Sequence, residues 1–421
     1  MVKKTTLKNG IRILSKEMPH VNSATLGIWV KTGSRNERPF ENGISHFVEH
    51  LQFKGTPSHS ARGISEAMEE LGGQINAFTT KEYTCYYIKV LDEYFFKAVD
   101  ILVDMFFNSL YEPEDIRREK GVIAEEIKAV EDAPDEIVHD YFAKAFWGSQ
   151  PLGRTILGSI ETIMDFNRDM IFDYIQRQYV AQNIVISACG KISHEAILEK
   201  IGPFFESAPQ GNAFELLPSE VYSSTQVCHK PGEQVQICLG TPGVSHSDKN
   251  LYPLIILNNI MGGGLSSRLF QEIREERGLV YSIYSYTVSY FDSGLWCIHA
   301  GASPDSLGEV LGLCMDIIFD VKENGVTGTE INRSKQQIRG ELLLSMESTT
   351  SHMTRLGRSE INYDRVISVE EMVEKIMEVT PEEIFDLAGN LFSPENFSLA
   401  VVGPYEKEIK LSAFGSAGKS N

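Results

Sequence analysis

The sequence is short of three features that would mark particular classes of protein. Its 421 residues carry 39 basic against 58 acidic side chains, a formal net charge of -19, whereas nucleic-acid binding needs clustered Lys and Arg. No segment approaches the apolar length needed to cross a bilayer, and residues 1–10 lack the apolar core of a signal peptide. The six cysteines show no close pairing of the metal-binding type. These deficits argue against nucleic-acid and membrane partners and predict a cytoplasmic protein.

The cysteines, the charge and the length each support a further interpretation. Several cysteines lie inside apolar runs, as Cys189 does in residues 183–189, which is typical of reduced, buried small hydrophobic residues. The acidic excess could attract basic peptides or metal cations, although on composition alone it indicates only solubility. A chain of 421 residues exceeds what one hydrophobic core usually organises, so two or three domains are expected.

An internal repeat divides the chain. A buried-strand pattern closed by glycine occurs at residues 183–190 and again at 396–403. A strand and turn at residues 24–33 likewise match residues 234–243, and each is followed by a polar loop and an apolar helical stretch. We interpret this pattern as a duplicated domain. The predicted domains are residues 1–212 and 213–421.

Within each half, apolar strand-like runs mix with amphipathic helices. Residues 72–80 and 84–90 have the pattern of adjacent strands. Helical periodicity is found in residues 65–71, 94–107 and 114–130. This mixture predicts an α+β fold of two similar domains, each a β-sheet backed by helices.

The most informative motif is the His-Phe-Val-Glu-His run at residues 46–50. On a helix, a spacing of four residues places His46 and His50 on one face, about one turn apart, where both can bind one metal ion. Glu49 could reach the open side of that metal. There it could take the proton from a bound water, which zinc acidifies to a pKa of about 7.

The residues around the motif predict how its helix is held. Ser45 or Asn42 can supply the start of the helix, and Phe47 and Leu51 can anchor its other faces in the core. Aligning Asn42 with Asn250 shows that the second half keeps the apolar face and lacks the metal chemistry. In that alignment, His46, Glu49 and His50 correspond to Leu254, Leu257 and Asn258.

A catalytic zinc normally has three protein ligands and one water, so a third ligand must come from elsewhere. The segment 115–128 offers Glu119, Glu125 and Glu126. Glu119 and Glu126 are seven residues apart and share a helix face, whereas Glu125 points about 100° away. We predict that Glu126 is the ligand and Glu119 a supporting carboxylate, although helix phase alone also allows the reverse. The expected cofactor is one zinc per chain.

Residues 42–56, which contain the motif, resemble the inverted zinc motif of the family of pitrilysin, insulin-degrading enzyme and mitochondrial processing peptidase. The resemblance runs through nearly the whole chain and is closest to short bacterial members similar to the catalytic subunit of the processing peptidase. Further matching segments are residues 33–37, 72–77, 119–135, 262–270 and 274–281.

The resemblance implies roles for individual residues. It assigns the zinc carboxylate to Glu126 and the supporting glutamate to Glu119. Arg274 and Tyr281 would hold the substrate backbone and stabilise the tetrahedral intermediate, as guanidinium and phenol donors can. Substrates would add a strand to a sheet edge. That edge is expected at Asn76, Ala77, Phe78 and Thr79.

The resemblance also implies an assembly. Family members of this length pair, and the two chains enclose a chamber, so a homodimer is expected. Arg274 and Tyr281 could then serve the zinc of the partner subunit. Gln52 replaces a residue that is often apolar in relatives, and we expect only a local packing effect from it.

Together these features predict a zinc metalloendopeptidase that cleaves short or unfolded polypeptides, basic ones among them, inside a closed chamber. Glu49 would take the proton of the attacking water and pass it to the leaving amine. The alternative is a non-catalytic or partner-dependent subunit that keeps the fold. Such a chain should have a broken His-x-x-Glu-His motif or no third glutamate, whereas this one keeps both, with Arg274 and Tyr281.

Overall fold

The computed structural model describes residues 1–211 and 216–411, and these contain eleven strands and fourteen α-helices. The strands are β1 Val2–Thr6, β2 Arg12–Glu17, β3 Ser23–Val30, β4 Gln74–Thr79, β5 Thr84–Leu91, β6 Ile184–Gly190, β7 Thr225–His229, β8 Val235–Pro242, β9 Val280–Ser289, β10 Gly294–Ala302 and β11 Ser398–Gly403. The helices are α1 Ile44–Gln52, α2 Ala61–Glu70, α3 Phe95–Asn108, α4 Pro113–Glu131, α5 Pro134–Trp147, α6 Ile160–Asp165, α7 Arg168–Gln178, α8 His194–Glu206, α9 Leu251–Gly262, α10 Leu307–Asn324, α11 Gly328–Ser345, α12 Thr349–Tyr363, α13 Val369–Glu378 and α14 Pro381–Leu391. Among the described residues, no helix is both long and apolar enough to cross a membrane.

The elements predicted from periodicity are present. The three predicted helices correspond to α2, α3 and α4, and the two predicted strands are β4 and β5, which pair antiparallel. Helix α2 begins at Ala61, earlier than the apolar pattern indicates, because the Ser60 hydroxyl accepts a hydrogen bond from the Gly63 amide and caps the helix.

The five strands of the second sheet repeat the order of five of the six strands of the first. The first has the strand order β1-β2-β6-β3-β5-β4 and the second has the order β7-β11-β8-β10-β9. In each, one pair is parallel, β2 with β6 and β7 with β11, and the pairs that follow are antiparallel. Strand β6 therefore corresponds to β11 and β3 to β8, as the repeat predicted. The predicted fold class, two similar α+β domains, is confirmed.

The described residues form two compact units, each built from more than one stretch of chain. The first contains residues 1–128, most of 154–217 and residues 345–366, and the second contains the rest. The predicted boundary between residues 212 and 213 lies outside the described residues and stays a prediction. Strands β1–β6 belong to the first unit and β7–β11 to the second, but α5 belongs to the second unit and α12 to the first.

Helix α12 covers one face of the first sheet. Met353 packs in a fully buried cluster with Trp29, and its main-chain carbonyl accepts a hydrogen bond of 2.8 Å from the Ser187 hydroxyl. A Cβ at Gly357 would overlap the Trp29 ring, so the close approach of helix and sheet needs glycine there. The opposite face of this sheet carries the main core of the unit, which includes the buried side chains of α1.

The cysteines are free of disulfides, and five of the six are buried. Cys85 and Cys189 lie in the cluster beneath α12, and Cys238 and Cys297 lie in the cluster beneath α5. Cys314 is buried in the main core of the second unit. Their predicted burial is confirmed for these five, and Cys228 is half-buried.

Candidate metal centre

Helix α1 carries the histidine motif, and its N-terminus is built differently from the prediction. The residue before its first turn is Gly43, which has a left-handed φ of 98° and offers no side chain to cap the helix. Ser45 lies inside the first turn, so the predicted start at Ser45 or Asn42 is wrong. A glycine is required because a Cβ at this position would come within 2.6 Å of the Leu157 carbonyl oxygen and strain the backbone.

The missing cap comes from Glu37, which lies outside the helix. One carboxylate oxygen of Glu37 accepts hydrogen bonds from the Gly43 amide at 2.8 Å and from Asn42 Nδ2 at 2.9 Å. The other oxygen accepts a hydrogen bond of 2.9 Å from the Ser45 amide. Burial raises the pKa of Glu37 to about 7, although these hydrogen bonds oppose the shift.

The faces of α1 are divided as the motif predicts. Phe47, Val48 and Leu51 are fully buried in the core of the first unit. His46, Glu49 and His50 are half-buried on the other face. Gln52 is fully buried, and its side-chain oxygen accepts a hydrogen bond of 2.9 Å from Ser109, a local contact of the helix end.

Helix α4 brings the third carboxylate to the two histidines. One nitrogen of His46, one nitrogen of His50 and one oxygen of Glu126 lie within 4.8 Å of one another. Glu126 Oε1 is 3.8 Å from His46 Nε2, and its Oε2 is 3.7 Å from His50 Nε2. Glu125 is exposed on another face of α4 and pairs with Lys128 at 2.7 Å.

The chemistry of these donors fits a zinc ion. Two imidazoles and one carboxylate are a common ligand set for zinc, with a position left for water. Burial and the neighbouring charge of His50 lower the pKa of His46 to about 4, so His46 is neutral at physiological pH. Metal binding requires that neutral form.

Glu119 orients His50. Its Oε2 lies 3.1 Å from His50 Nδ1, which leaves Nε2 facing Glu126, and its Oε1 lies 2.7 Å from Lys54 Nζ. Burial favours a higher pKa for Glu119, but the hydrogen bonds to His50 and Lys54 outweigh it and hold the pKa below its ordinary value. A carboxylate behind a histidine in this way sets the tautomer and the ring orientation of a metal ligand.

Glu49 is held by a residue of the predicted substrate strand. The Thr79 hydroxyl donates a hydrogen bond to Glu49 Oε2. Burial raises the pKa of Glu49 above its ordinary value, with smaller contributions from Thr79 and His50 that lower it and from Glu126 that raises it. A carboxylate with a raised pKa is a stronger base than an exposed one.

The residues predicted to bind substrate form most of β4, which is the edge strand of the first sheet. Phe78 stacks edge-on against Trp29 on the side covered by α12. Ala77 packs against the main core, and Thr79 faces the same side, as alternation along a strand requires. Asn76 is exposed.

Arg274 and Tyr281 lie together in the second unit. Arg274 belongs to a short π-helical segment, Phe270–Glu275, and its guanidinium lies over two rings, 4.8 Å from the Phe270 centroid and 5.6 Å from the Tyr281 centroid. Tyr281 is in β9, the edge strand that corresponds to β4, and its side chain is 79% exposed. The structure thus places the two predicted donors side by side.

Sequence reasoning missed the contacts that support the site. Lys54 lies in the matching segment 42–56 and Thr79 in the predicted substrate strand. No sequence pattern indicates that Lys54 pairs with Glu119 or that Thr79 binds Glu49. Glu37 ends the matching segment 33–37, which was a signal that it has a role. The sequence does not indicate that Glu37 binds the amides at the start of α1, because this contact depends on how the loop 38–42 folds.

The fold and the site together define a class, the duplicated two-domain proteins whose helix carries the inverted His-x-x-Glu-His motif. The family model described as "Insulinase (Peptidase family M16)" matches residues 12–160, and the one described as "Peptidase M16 inactive domain" matches residues 165–338. The chain belongs to peptidase family M16. The family resemblance seen in the sequence is therefore confirmed.

Similar proteins cover almost the whole chain. The uncharacterized zinc protease YmxG of Bacillus subtilis is 43% identical over 96% of this chain and 98% of its own length. An uncharacterized zinc protease of Streptomyces coelicolor is 40% identical over 96% of this chain and 90% of its own length. A crystal structure from Pseudomonas fluorescens, described as a peptidase M16 inactive domain, has a TM-score of 0.91 at 18% identity and covers 97% of this chain and 99% of that one. A protease from Helicobacter pylori has a TM-score of 0.88 at 20% identity, with 96% and 99% covered.

Proposed function

We propose that the protein is a zinc metalloendopeptidase that hydrolyses short or unfolded polypeptides. The observation that carries the proposal is the convergence of His46, His50 and Glu126 within 4.8 Å, with Glu49 on the same helix face. The names of the relatives, zinc proteases, support the same activity.

His46, His50 and Glu126 are the proposed ligands, with one zinc per chain. When bound, zinc supplies a Lewis acid that lowers the pKa of a water to about 7 and polarises a carbonyl group. Glu119 keeps His50 in the tautomer that binds through Nε2.

Glu49 is the proposed general base. It takes a proton from the attacking water and later passes that proton to the leaving nitrogen of the peptide bond. Its raised pKa supports the second step, because a carboxyl group with a raised pKa holds the proton until the leaving amine needs it. Thr79 keeps the carboxylate in one orientation by donating to Oε2.

Arg274 and Tyr281 are the proposed donors to the developing oxyanion. A guanidinium and a phenol both donate hydrogen bonds to negative charge. Their adjacency and the exposure of Tyr281 support a shared role towards a ligand.

The proposed substrate class is based on the position of β4 at the edge of the first sheet. An edge strand accepts a further strand through main-chain hydrogen bonds, so the substrate must be extended. The proposed substrates are therefore short or unfolded peptides paired along Asn76, Ala77, Phe78 and Thr79. The net charge of -19 supports a preference for basic peptides. A cytoplasmic homodimer that encloses the site in a chamber is the proposed assembly, supported by the family resemblance.

The test compares wild type with Glu49→Gln, both purified without added metal and then titrated with zinc. We expect both proteins to bind about one zinc per chain and only wild type to cleave a long, unstructured basic peptide. Glu125→Gln is the matched control, since Glu125 is exposed on another face of α4, and it should behave as wild type.

Two outcomes would contradict the proposal. A wild-type protein that binds zinc and cleaves no peptide in a varied panel would favour the non-catalytic subunit. A wild-type protein that neither holds zinc nor gains it on addition would refute the metal centre.

A further inference from the structure

We infer that Glu37 is a positioning residue of the metal centre, which holds the first turn of α1 and so orders His46 and His50 before metal binds. The inference rests on the proposed function, because it concerns the affinity of the same site for zinc. Glu37 touches neither histidine. It acts through the backbone of the helix that carries both.

The first turn of α1 depends on a partner outside the helix. Four amides at the start of any helix lack partners within it, and Gly43 has no side chain to supply one. Glu37 accepts hydrogen bonds from the Gly43 amide at 2.8 Å and from the Ser45 amide at 2.9 Å, one on each side-chain oxygen. A carboxylate is well suited to this place, since the positive end of the helix dipole faces it.

Glu37 is itself held in place. Its side chain is buried, with 4% exposed. Its main-chain carbonyl accepts a hydrogen bond of 3.1 Å from Arg154, and its Oε2 accepts one of 2.9 Å from Asn42 Nδ2. Asn42 Nδ2 also lies 3.0 Å from the Thr155 carbonyl, so the cap is tied to a second segment of the unit.

The position of the cap relative to the ligands explains why it should affect metal binding. Helix α1 has only nine residues, and helices this short are marginal without tertiary support. His46 is the third residue of the helix and lies in the capped turn, with His50 one turn further on. Ordering the ligands costs free energy that metal binding must otherwise supply. A cap that orders them beforehand therefore raises the affinity for zinc.

Glu37→Gln is the variant that tests this. Both oxygens of Glu37 accept backbone N–H groups, so a glutamine must direct its own NH2 group at one of these donors. The overall size of the side chain is unchanged. The variant thus removes a hydrogen bond of the cap and leaves no cavity.

Glu41→Gln is the matched control. Glu41 belongs to the same loop and is buried, with 2% exposed. Its carboxylate binds the Arg38 amide at 2.9 Å and Arg177 Nη2 at 2.8 Å. The control therefore tests a buried carboxylate of the same loop whose bonds go to residues outside α1.

The measurement is the zinc affinity of each apo protein, determined by competition with a chelator of known affinity. We expect Glu37→Gln to bind zinc about 10–100-fold more weakly than wild type, the usual range for a residue that supports metal ligands. Glu41→Gln should stay within about twofold of wild type, since its bonds do not reach α1. If Glu37→Gln does not fold, Glu37→Asp, which keeps the charge and shortens the reach, takes its place with the same expected direction.

Two results would overturn the inference. One is an unchanged zinc affinity of the Glu37 variant, and the other is an equal loss in Glu41→Gln, which would show a general effect of the loop. Both are distinct from failure of the proposed function, in which wild type itself would bind no zinc.

Discussion

Three glutamates of α4 have three different surroundings. Glu126 faces His46 and His50, Glu119 is buried behind His50, and Glu125 is exposed beside Lys128. Their spacing along the helix accounts for the difference, since positions 119 and 126 share a face that 125 does not. Glu125, next to Glu126 in the sequence, therefore serves as a control for substitutions of Glu126.

Glu126→Gln should weaken zinc binding by at least about 100-fold, because it removes a charged ligand, a larger change than the loss of a supporting residue. Glu125→Gln should leave zinc binding unchanged. Titration of both apo proteins with zinc, followed by the metal content after desalting, checks the pair. Equal affinities of the two variants would remove Glu126 from the ligand set.

Thr79→Val should lower kcat by about 10-fold or more, because the charge-assisted hydrogen bond to Glu49 contributes roughly 1.5–3 kcal/mol. The Thr79 hydrogen bond lowers the pKa of Glu49, so its loss should raise that pKa. A base works when deprotonated, and activity rises with pH through its pKa. The acid limb of the profile of kcat/KM should therefore move to higher pH.

Thr79→Ser is the control for this change, since it keeps the hydroxyl donor. Its pH profile should overlay that of wild type. An unchanged acid limb in Thr79→Val would show that the hydrogen bond does not act on the catalytic base.

Two helices of the second unit are joined by a half-buried arginine, Arg268, and its two acidic partners. Arg268 lies 2.7 Å from Glu330 Oε1 and 2.7 Å from Asp320 Oδ2, so it connects residues of α10 and α11. Glu330 also accepts a hydrogen bond of 2.7 Å from the Thr327 amide at the start of α11. The arginine of the matching segment 262–270 thus has a structural role.

Glu330→Gln should lower the free energy of unfolding by about 2 kcal/mol at pH 7, the typical value for charge-assisted hydrogen bonds. Burial opposes ionisation of Glu330, but its bonds to Arg268 and Thr327 prevail and lower its pKa from 4.5 to about 2. The stabilisation is therefore complete above pH 4.5 and is lost as the pH falls towards 2. Urea unfolding of both proteins at a series of pH values measures the difference.

Glu272→Gln serves as the comparison, because Glu272 forms an exposed pair with Arg277. Pairs this exposed contribute little to stability because water and salt screen them, so Glu272→Gln should unfold at the same denaturant concentration as wild type. A difference for Glu330→Gln that stays constant down to pH 3 would contradict the assignment of the effect to its carboxylate.

At the scale of the whole molecule, neither half of the sequence supplies all of its own compact unit. Helix α12, from the second half, covers the sheet of the first unit, and α5, from the first half, belongs to the second unit. Trp29, buried beneath α12, donates a hydrogen bond of 2.9 Å to Ser187, which in turn donates to the main chain of α12. The first sheet, and with it the edge strand β4, therefore depends on residues 345–366.

Gly357→Ala tests this dependence. The added methyl group would overlap the Trp29 ring, so we expect a loss of about 1–3 kcal/mol in the free energy of unfolding. Gly340→Ala, in α11, should instead gain about 0.4–1 kcal/mol, because a Cβ there meets no described atom within 4 Å. Denaturant midpoints of the two variants give the comparison, and equal midpoints would mean that α12 can shift without cost.

The sequence by itself determined the features that depend on local spacing and on repetition. The spacing of apolar residues predicted α2, α3, α4 and the pair β4–β5. An element that buries one face must repeat its apolar residues at the period of that element. The four-residue spacing of His46 and His50 and the seven-residue spacing of Glu119 and Glu126 placed each pair on one helix face, for the same geometrical reason. The recurrence of the strand patterns indicated the duplicated fold.

Only the tertiary structure decided what depends on contacts between distant segments. It distinguished Glu126 from Glu119, because helix phase gives both the same face and only the position of α1 separates them. It showed the cap of α1 at Glu37, the bond from Thr79 to Glu49 and the exchange of α5 and α12. These contacts form when loops and helices far apart in the chain pack together. The interactions that favour one packing over another do not produce a periodic pattern in the sequence, so the sequence does not predict them.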